Sequence, residues 1–190
     1  MKVMKYFLDF DGVLFDTQTL KDKMFALGIE ESLRSASLFE DMKAADPDFE
    51  INQLLFEDAK AFLEEHASNC KVVSSFVSTN PMNNQDESVQ REYQETKIKL
   101  CGVASLVGEE NVHVVGISKR DALQALKEEC DTLNEEYVFI DDRLMYVEEA
   151  RSLGILSVWM NRTGLRSEPE EEHQVSSFEQ LLPNLEIWKR

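Results

Sequence analysis

A three-layer, Rossmann-like α/β fold around a central parallel sheet is predicted by three features of the sequence. Short β-branched or aromatic runs alternate with longer amphipathic stretches, the pattern of successive βα units. Five of the short runs read as buried strands, and polar, chemistry-bearing residues gather at the carboxyl end of each. The size also fits: 190 residues with 43% apolar and 9% aromatic content make one domain with a small insert and a real core. A two-domain enzyme of ordinary size and wholesale disorder are both excluded.

The strands are expected at 3–10, 71–77, 111–115, 137–140 and 155–159, each followed by a loop and a helix-like segment. In an open parallel sheet the carboxyl ends of the strands share one edge, and ligands bind there at a topological switch point. The residues that follow the five strands are therefore the candidates. They are Asp9-Phe10-Asp11-Gly12, Ser78-Thr79-Asn80, Gly116-Ile117-Ser118-Lys119, Asp141-Asp142-Arg143 and Asn161-Arg162.

Between the first and second strands lies a segment with no strand of its own and three helical patterns, at 17–27, 30–45 and 51–66, punctuated by Gly28 and Pro47. A βαβ crossover needs one helix, so this segment is longer than a crossover. It divides the chain into a core domain of 1–16 and 70–190 and a small α-helical cap at 17–69. After the fifth strand comes an acidic, Pro-containing stretch at 167–173, read as a solvated loop. A last helical pattern at 177–182 stops before Pro183.

Charge and cysteine usage exclude further classes. With 37 Asp+Glu against 20 Lys+Arg the chain carries a formal −17, which repels a nucleic-acid backbone. Cys70, Cys101 and Cys130 lack paired spacing, so they read as free buried thiols in a reducing cytoplasm. Asp9 and Asp11 interrupt the N-terminal apolar run too early for a signal peptide, and no later run is long enough to span a bilayer. No nucleic-acid or membrane partner is expected.

Asp9-x-Asp11-Gly12 closes the first strand. Alternation puts both carboxylates on one face, and Gly12 permits a sharp turn beyond them. Such a pair suits covalent phosphoryl transfer, in which one carboxylate attacks phosphorus while its neighbour protonates the leaving oxygen and later activates water. An Asp-rich turn or a calcium loop is the plainer alternative. Asp141-Asp142 follows a buried-looking strand, and two adjacent carboxylates repel unless a cation joins them or they open a helix. Thr79-Asn80 offers a hydroxyl and free N–H groups, and Lys119 brings a positive charge to a helix entrance; each alone is ordinary.

Their order, acid pair, hydroxyl, lysine, acid pair, each at a strand end, is not ordinary. The sequence resembles the haloacid dehalogenase-like hydrolases: LDFDGVLFDT (8–17) is similar to their first motif, VSTN (77–80) to the second, Lys119 in GISKRDAL to the third, and VFIDDRLMYVEEARSLG (138–154) to the fourth. The resemblance implies Asp9 as nucleophile forming an aspartyl phosphate and Asp11 as general acid/base. It implies Thr79 and Lys119 as further catalytic residues, with Phe10, Thr79, Asn80 and Lys119 around the substrate phosphate. Asp9, Asp142 and the Asp11 carbonyl would ligate Mg²⁺, and Asp141 would ligate it or orient through water. A one-residue shift of the second strand would substitute Ser78 for Thr79. Two departures stand: Lys119 is followed by Arg120 where the family often has Pro, and Tyr146 stands where a further Asp is found in many fourth motifs.

Dehalogenating members lack the second aspartate of the first motif, so Asp11 turns the expectation to phosphate chemistry. The implied activity is Mg²⁺-dependent hydrolysis of a small-molecule phosphate ester, a phosphorylated metabolite or nucleotide, by a monomer or homodimer. A β-phosphoglucomutase-like phosphomutase and a non-catalytic binding protein on the same fold are the alternatives. A chain of net −17 must then draw in an anion, which requires Mg²⁺, Lys119 and backbone N–H groups to reverse the potential locally.

Overall fold

The computed structural model describes residues 3–30, 35–76, 86–162 and 173–188. Six parallel strands form one sheet: β1 (Met4–Leu8), β2 (Cys70–Ser75), β3 (Val112–Val115), β4 (Glu136–Asp141), β5 (Leu156–Met160) and β6 (Gln174–Val175). Their order is β3-β2-β1-β4-β5-β6. β1 is central, with Leu8 in register with Val72 on one side and Ile140 on the other. Chain progression reverses across the β1–β4 pair, which is the switch point where a crevice opens at the carboxyl edge.

The five expected strands are all present. β6 is an addition, a two-residue edge strand that the short run 174–175 does not announce by periodicity. Trp159 donates its backbone N–H to His173 O at 2.9 Å and Asn161 donates to Val175 O at 2.8 Å, fixing this strand beside β5. Apart from His173, the acidic stretch 167–173 lies outside the described residues.

Eight α-helices are described: α1 (Thr17–Ala26), α2 (Leu38–Ala45), α3 (Glu57–His66), α4 (Glu87–Leu100), α5 (Val103–Val107), α6 (Arg120–Leu133), α7 (Leu144–Ser152) and α8 (Phe178–Trp188). Strand alternation sorts the core into two faces. Phe7, Val73 and Phe139 meet Leu123, Leu126 and Cys130 of α6 and Tyr146 and Ala150 of α7. Tyr6, Leu8, Val72, Val138 and Ile140 point the other way, toward α3, α5 and α8. Three layers result, helices on both faces of a doubly covered parallel sheet.

Three helix expectations change. Of the pattern at 30–45, the described residues are helical over Leu38–Ala45 alone. The pattern at 51–66 is a 3-10 turn (Ile51–Leu54) followed by α3, because Leu55 and Phe56 are extended and Phe56 N–H returns to Leu14 O at 3.0 Å. The last helix runs through Pro183 to Trp188 instead of stopping before it. Pro183 is exposed, so water can take the carbonyl that loses its i+4 partner, while Phe178, Leu181 and Leu185 keep the helix on the sheet. Within the insert, Leu20, Met24, Leu38 and Met42 are buried in the same core cluster as Leu8 and Phe10. Phe62 of α3 packs edge-on to Tyr6 at 5.0 Å and stacks on Phe178 at 4.4 Å, so α3 covers the sheet itself. No helix among the described residues is long and apolar enough to cross a membrane. Cys70, Cys101 and Cys130 are buried and unpaired, and burial pushes the first two thiols up to about 12.

Candidate active site

β1 ends at Leu8, so Asp9 and Asp11 lie in the turn that follows instead of on a continuing strand. Asp9 N–H donates to Ile140 O at 2.9 Å, pinning the turn to β4. Gly12 then takes φ +80°, a left-handed conformation that only glycine adopts cheaply, and its N–H donates to Phe15 O at 2.8 Å. Phe10 is fully buried with its ring stacked on Phe15 at 5.0 Å, which leaves only its main chain for any contact with a ligand.

Lys119 immediately precedes α6, but its side chain does not lie on the surface. It is 0% exposed, and its Nζ donates to Asp9 Oδ1 at 2.5 Å and to Asp141 Oδ2 at 2.6 Å. Burial alone would lower the lysine's pKa; Asp141 and Asp9 outweigh it and raise it, so Lys119 is an ammonium. Its loop is braced by Ser118 Oγ and Lys119 N–H, which both donate to the Glu149 carboxylate, and by Tyr146 OH, which donates to Ile117 O. Burial pushes the Asp9 carboxyl up to about 7, Lys119 opposing and Asp141 and Asp11 adding repulsion. Asp141, also buried, is raised for the same first reason, against the pull of Lys119.

Asp9, Asp141 and Asp142 each bring a carboxylate oxygen within 4.8 Å of the others. This all-oxygen set suits a hard divalent cation, and a cation there would relieve the repulsion that raises Asp9 and Asp141. Arg143 N–H donates to Asp141 Oδ1 at 2.8 Å, and Trp159 Nε1 donates to the Asp142 carbonyl at 3.0 Å, so both acids are held from behind.

Asp11 is engaged from a direction the sequence did not suggest. Its Oδ1 accepts from Lys97 Nζ at 2.6 Å and Thr17 Oγ1 at 2.5 Å, and its Oδ2 from Gln94 Nε2 at 2.7 Å and Lys97 Nζ at 2.9 Å. Burial works against the charge, but the Lys97 ammonium and the hydrogen bonds from Lys97, Thr17 and Gln94 hold this carboxyl below its ordinary value.

Asp11, Gly12, Thr17, Asp142, Arg143 and Arg162 line a cleft of about 490 Å³ at the carboxyl edge of the sheet. Arg143 is half-buried and faces Asp142 and Asp9, which raise its pKa against its own desolvation. Arg162 is spent within the protein: it forks onto Asp58 at 2.9 and 3.0 Å, donates twice to Val13 O, and lies 4.0 Å from the centre of the Phe56 ring.

Of the residues singled out in the sequence, Asp9, Asp11, Lys119, Asp141 and Asp142 converge, with the Phe10 main chain among them. Thr79 and Asn80, with Ser78, lie outside the described residues. Sequence reading missed Lys97 and Gln94, gave Arg143 no role beyond its place at a strand end, and left Thr17 without a role. A signal for two of them existed: the inward face of α4, Gln90, Tyr93, Gln94, Lys97 and Ile98, is largely polar at helical spacing, where an apolar stripe is normal.

No protein-family model and no curated protein matches the sequence. Solved structures do match in fold. A protein of Burkholderia xenovorans described as a haloacid dehalogenase-like hydrolase superposes with a TM-score of 0.61 at 14% identity over 100% of both chains. A HAD phosphatase of Thermococcus onnurineus gives 0.52 at 21% identity, covering 97% of this chain and 98% of its own. An L-2-haloacid dehalogenase gives 0.53 at 15% identity, covering 98% and 100%. The fold is therefore that of the haloacid dehalogenase-like hydrolases.

Proposed function

We propose that this chain, built on the haloacid dehalogenase-like fold, is a Mg²⁺-dependent phosphate monoester hydrolase that works through an aspartyl phosphate on Asp9. The observation that carries the reading is the meeting of Asp9, Asp141 and Asp142 oxygens within 4.8 Å, with Lys119 Nζ 2.5 Å from Asp9. Phosphatases and dehalogenases share the fold, so the fold does not choose between them. Asp11, lining the cleft beside Asp9, favours phosphate chemistry because phosphoryl transfer to Asp9 leaves an alkoxide to be protonated.

In this reading Lys119 orients the Asp9 carboxylate, whose Oδ2 attacks phosphorus in line with the leaving oxygen. Asp11, which its donors keep ionised in the free protein, must take up a proton as the phosphate dianion binds beside it; it gives that proton to the leaving oxygen and regains one from the water that hydrolyses the aspartyl phosphate. Asp9, Asp142, Asp141 and the Asp11 carbonyl would hold the cation, which neutralises charge on the phosphoryl oxygens when bound. The resemblance assigns Thr79 and Asn80 to the substrate phosphate as well. Of the insert at 17–69, the part before α3 acts as a cap, with Thr17 and Lys21 of α1 already on the cleft wall. The three unpaired thiols support a cytoplasmic setting.

The test is hydrolysis of p-nitrophenyl phosphate and a phosphometabolite panel, with and without Mg²⁺, by the wild type and by Asp9→Asn. Turnover should require Mg²⁺, and Asp9→Asn should lower it by at least about 10³-fold. Absence of turnover across the panel by folded, Mg²⁺-loaded protein overturns the enzyme reading. Activity retained in Asp9→Asn overturns the aspartyl phosphate.

A further inference from the structure

We infer that Lys97 and Gln94 are positioning residues for Asp11, forming a buried cradle on α4 that aims its carboxylate at the leaving oxygen of the substrate. This rests on the hydrolase reading above and extends it to two residues outside the motifs.

A lysine with 2% exposure is costly unless its charge is answered, and among the described residues a carboxylate and an aromatic box answer it. Lys97 Nζ spans both oxygens of Asp11 at 2.6 and 2.9 Å. The rings of Phe10, Phe15 and Tyr93 surround it, their centroids at 5.4, 5.4 and 5.2 Å. Phe10 and Phe15 belong to the same turn as Asp11, so the lysine is keyed to the backbone of that turn as well as to its acid.

Gln94 makes the cradle rigid. Its Nε2 donates to Asp11 Oδ2 at 2.7 Å and to Ser74 Oγ, fully buried on β2, at 2.8 Å. An amide nitrogen has two hydrogens, and these two contacts use both. The chain β2–Gln94–Asp11 therefore ties the acid to a sheet strand through a helix residue 83 positions from it in sequence. One helical turn puts Gln94 and Lys97 on the same face, so α4 presents both donors together.

This arrangement fixes the direction of the Asp11 side chain while its remaining exposed part, 27% of the side chain, looks into the cleft. An inward helix position that only had to fill space would be served by an aliphatic residue at no desolvation cost. Two-point contact to a carboxylate that lines the cleft is what precise proton delivery needs, since a misplacement of about 1 Å can cost about 10²-fold in rate.

The experiment compares Lys97→Met and Gln94→Leu with the wild type on two Mg²⁺-loaded reactions. p-Nitrophenyl phosphate has a leaving group that departs without a proton; glycerol 1-phosphate has an alkoxide that does not. Positioning predicts that Lys97→Met slows the first, phosphoryl-transfer turnover of the glycerol ester, read under single-turnover conditions, by about 10²-fold, while the same turnover of p-nitrophenyl phosphate, which needs no proton, falls by no more than about threefold and half-saturation stays within that same margin. Gln94→Leu should show the same split at smaller amplitude, and it keeps the test alive if Lys97→Met fails to fold, which thermal melting reports. Equal losses on both esters, or no loss on either, overturn the positioning role while leaving the hydrolase reading intact. A wild type inert on both esters removes the hydrolase reading, and the inference with it.

Discussion

The Cβ that Gly12 lacks would lie 2.5 Å from Oδ2 of Asp142. The two strand ends that bear the acid pairs approach so closely that no side chain fits between them, and the glycine's φ of +80° adds a second reason for its identity. Gly12→Ala should destabilise by about 1–2 kcal/mol through backbone strain alone. It should also displace Asp142, so the stability that Mg²⁺ adds should shrink by about 1.4 kcal/mol for each tenfold loss of cation affinity, seen as a smaller rise in melting temperature. An unchanged Mg²⁺ increment in melting experiments would contradict the assignment of Asp142 as a ligand.

Removing Lys119 leaves Asp9 and Asp141 buried without their shared cation. Lys119→Met should cost about 3–5 kcal/mol in chelator at neutral pH, the usual penalty for stranding a buried charge. Burial and mutual repulsion, which already raise both carboxyls, then act unopposed. A carboxyl raised in the folded state binds protons more readily folded than unfolded, so this variant should gain stability as pH falls from about 8 toward about 5. Denaturant titrations across that range check the sign; a loss of stability on acidification would refute it.

Arg162 joins the loop after Gly12 to α3 and, through Asp58, to α8, whose Phe178 N–H donates to Asp58 Oδ2 at 2.7 Å. Arg162→Met should destabilise by about 2–3 kcal/mol, the lower end for a broken buried pair because both side chains keep some contact with water. Arg162→Lys should recover little, since an ammonium cannot serve two Val13 contacts and both Asp58 oxygens from one plane. Chemical unfolding of the three proteins separates loss of the fork from loss of charge.

His113 on β3 has a buried Nε2 with no hydrogen-bond partner among the described residues. Burial, with Lys71 adding to it against Glu129, lowers its pKa from 6.5. Below 6.5 the unfolded chain takes a proton that the folded chain resists, so stability declines as pH falls through that value. Replacing the imidazole by an apolar ring, His113→Phe, should flatten the fall in melting temperature between about pH 7.5 and about pH 5.5; the same slope in both proteins would exclude His113 as its source.

How far the sequence could be read depended on whether a residue's task is local. Asp9, Asp11, Asp141 and Asp142 advertise themselves because a strand of buried residues stops abruptly at charge, and Lys119 because it opens a helix after such a strand. Lys97 and Gln94 do not, since on a charged helix a polar residue is expected and only the third dimension turns that face inward. β6 was illegible because two residues carry no period, and its pairing comes from Trp159 and Asn161 reaching across to it. Pro183 misled because the rule that ends a helix at proline assumes a carbonyl shut away from water.

The central place of β1 also governs when the site can exist. Its neighbour β4 begins only at Glu136, where Leu8 finds its partner Ile140, and Lys119 sits 110 residues from Asp9. During synthesis the first strand therefore emerges long before the neighbours that bury it, and loop closure over that distance must precede any pairing with β4. Until then β1 has at most β2 beside it, and Asp9, in the turn after β1, has neither Lys119 nor Asp141 to meet. The proposed reactivity thus waits for β4, and a truncation before β4 should yield an inert polypeptide with a bare sheet edge, prone to associate with copies of itself.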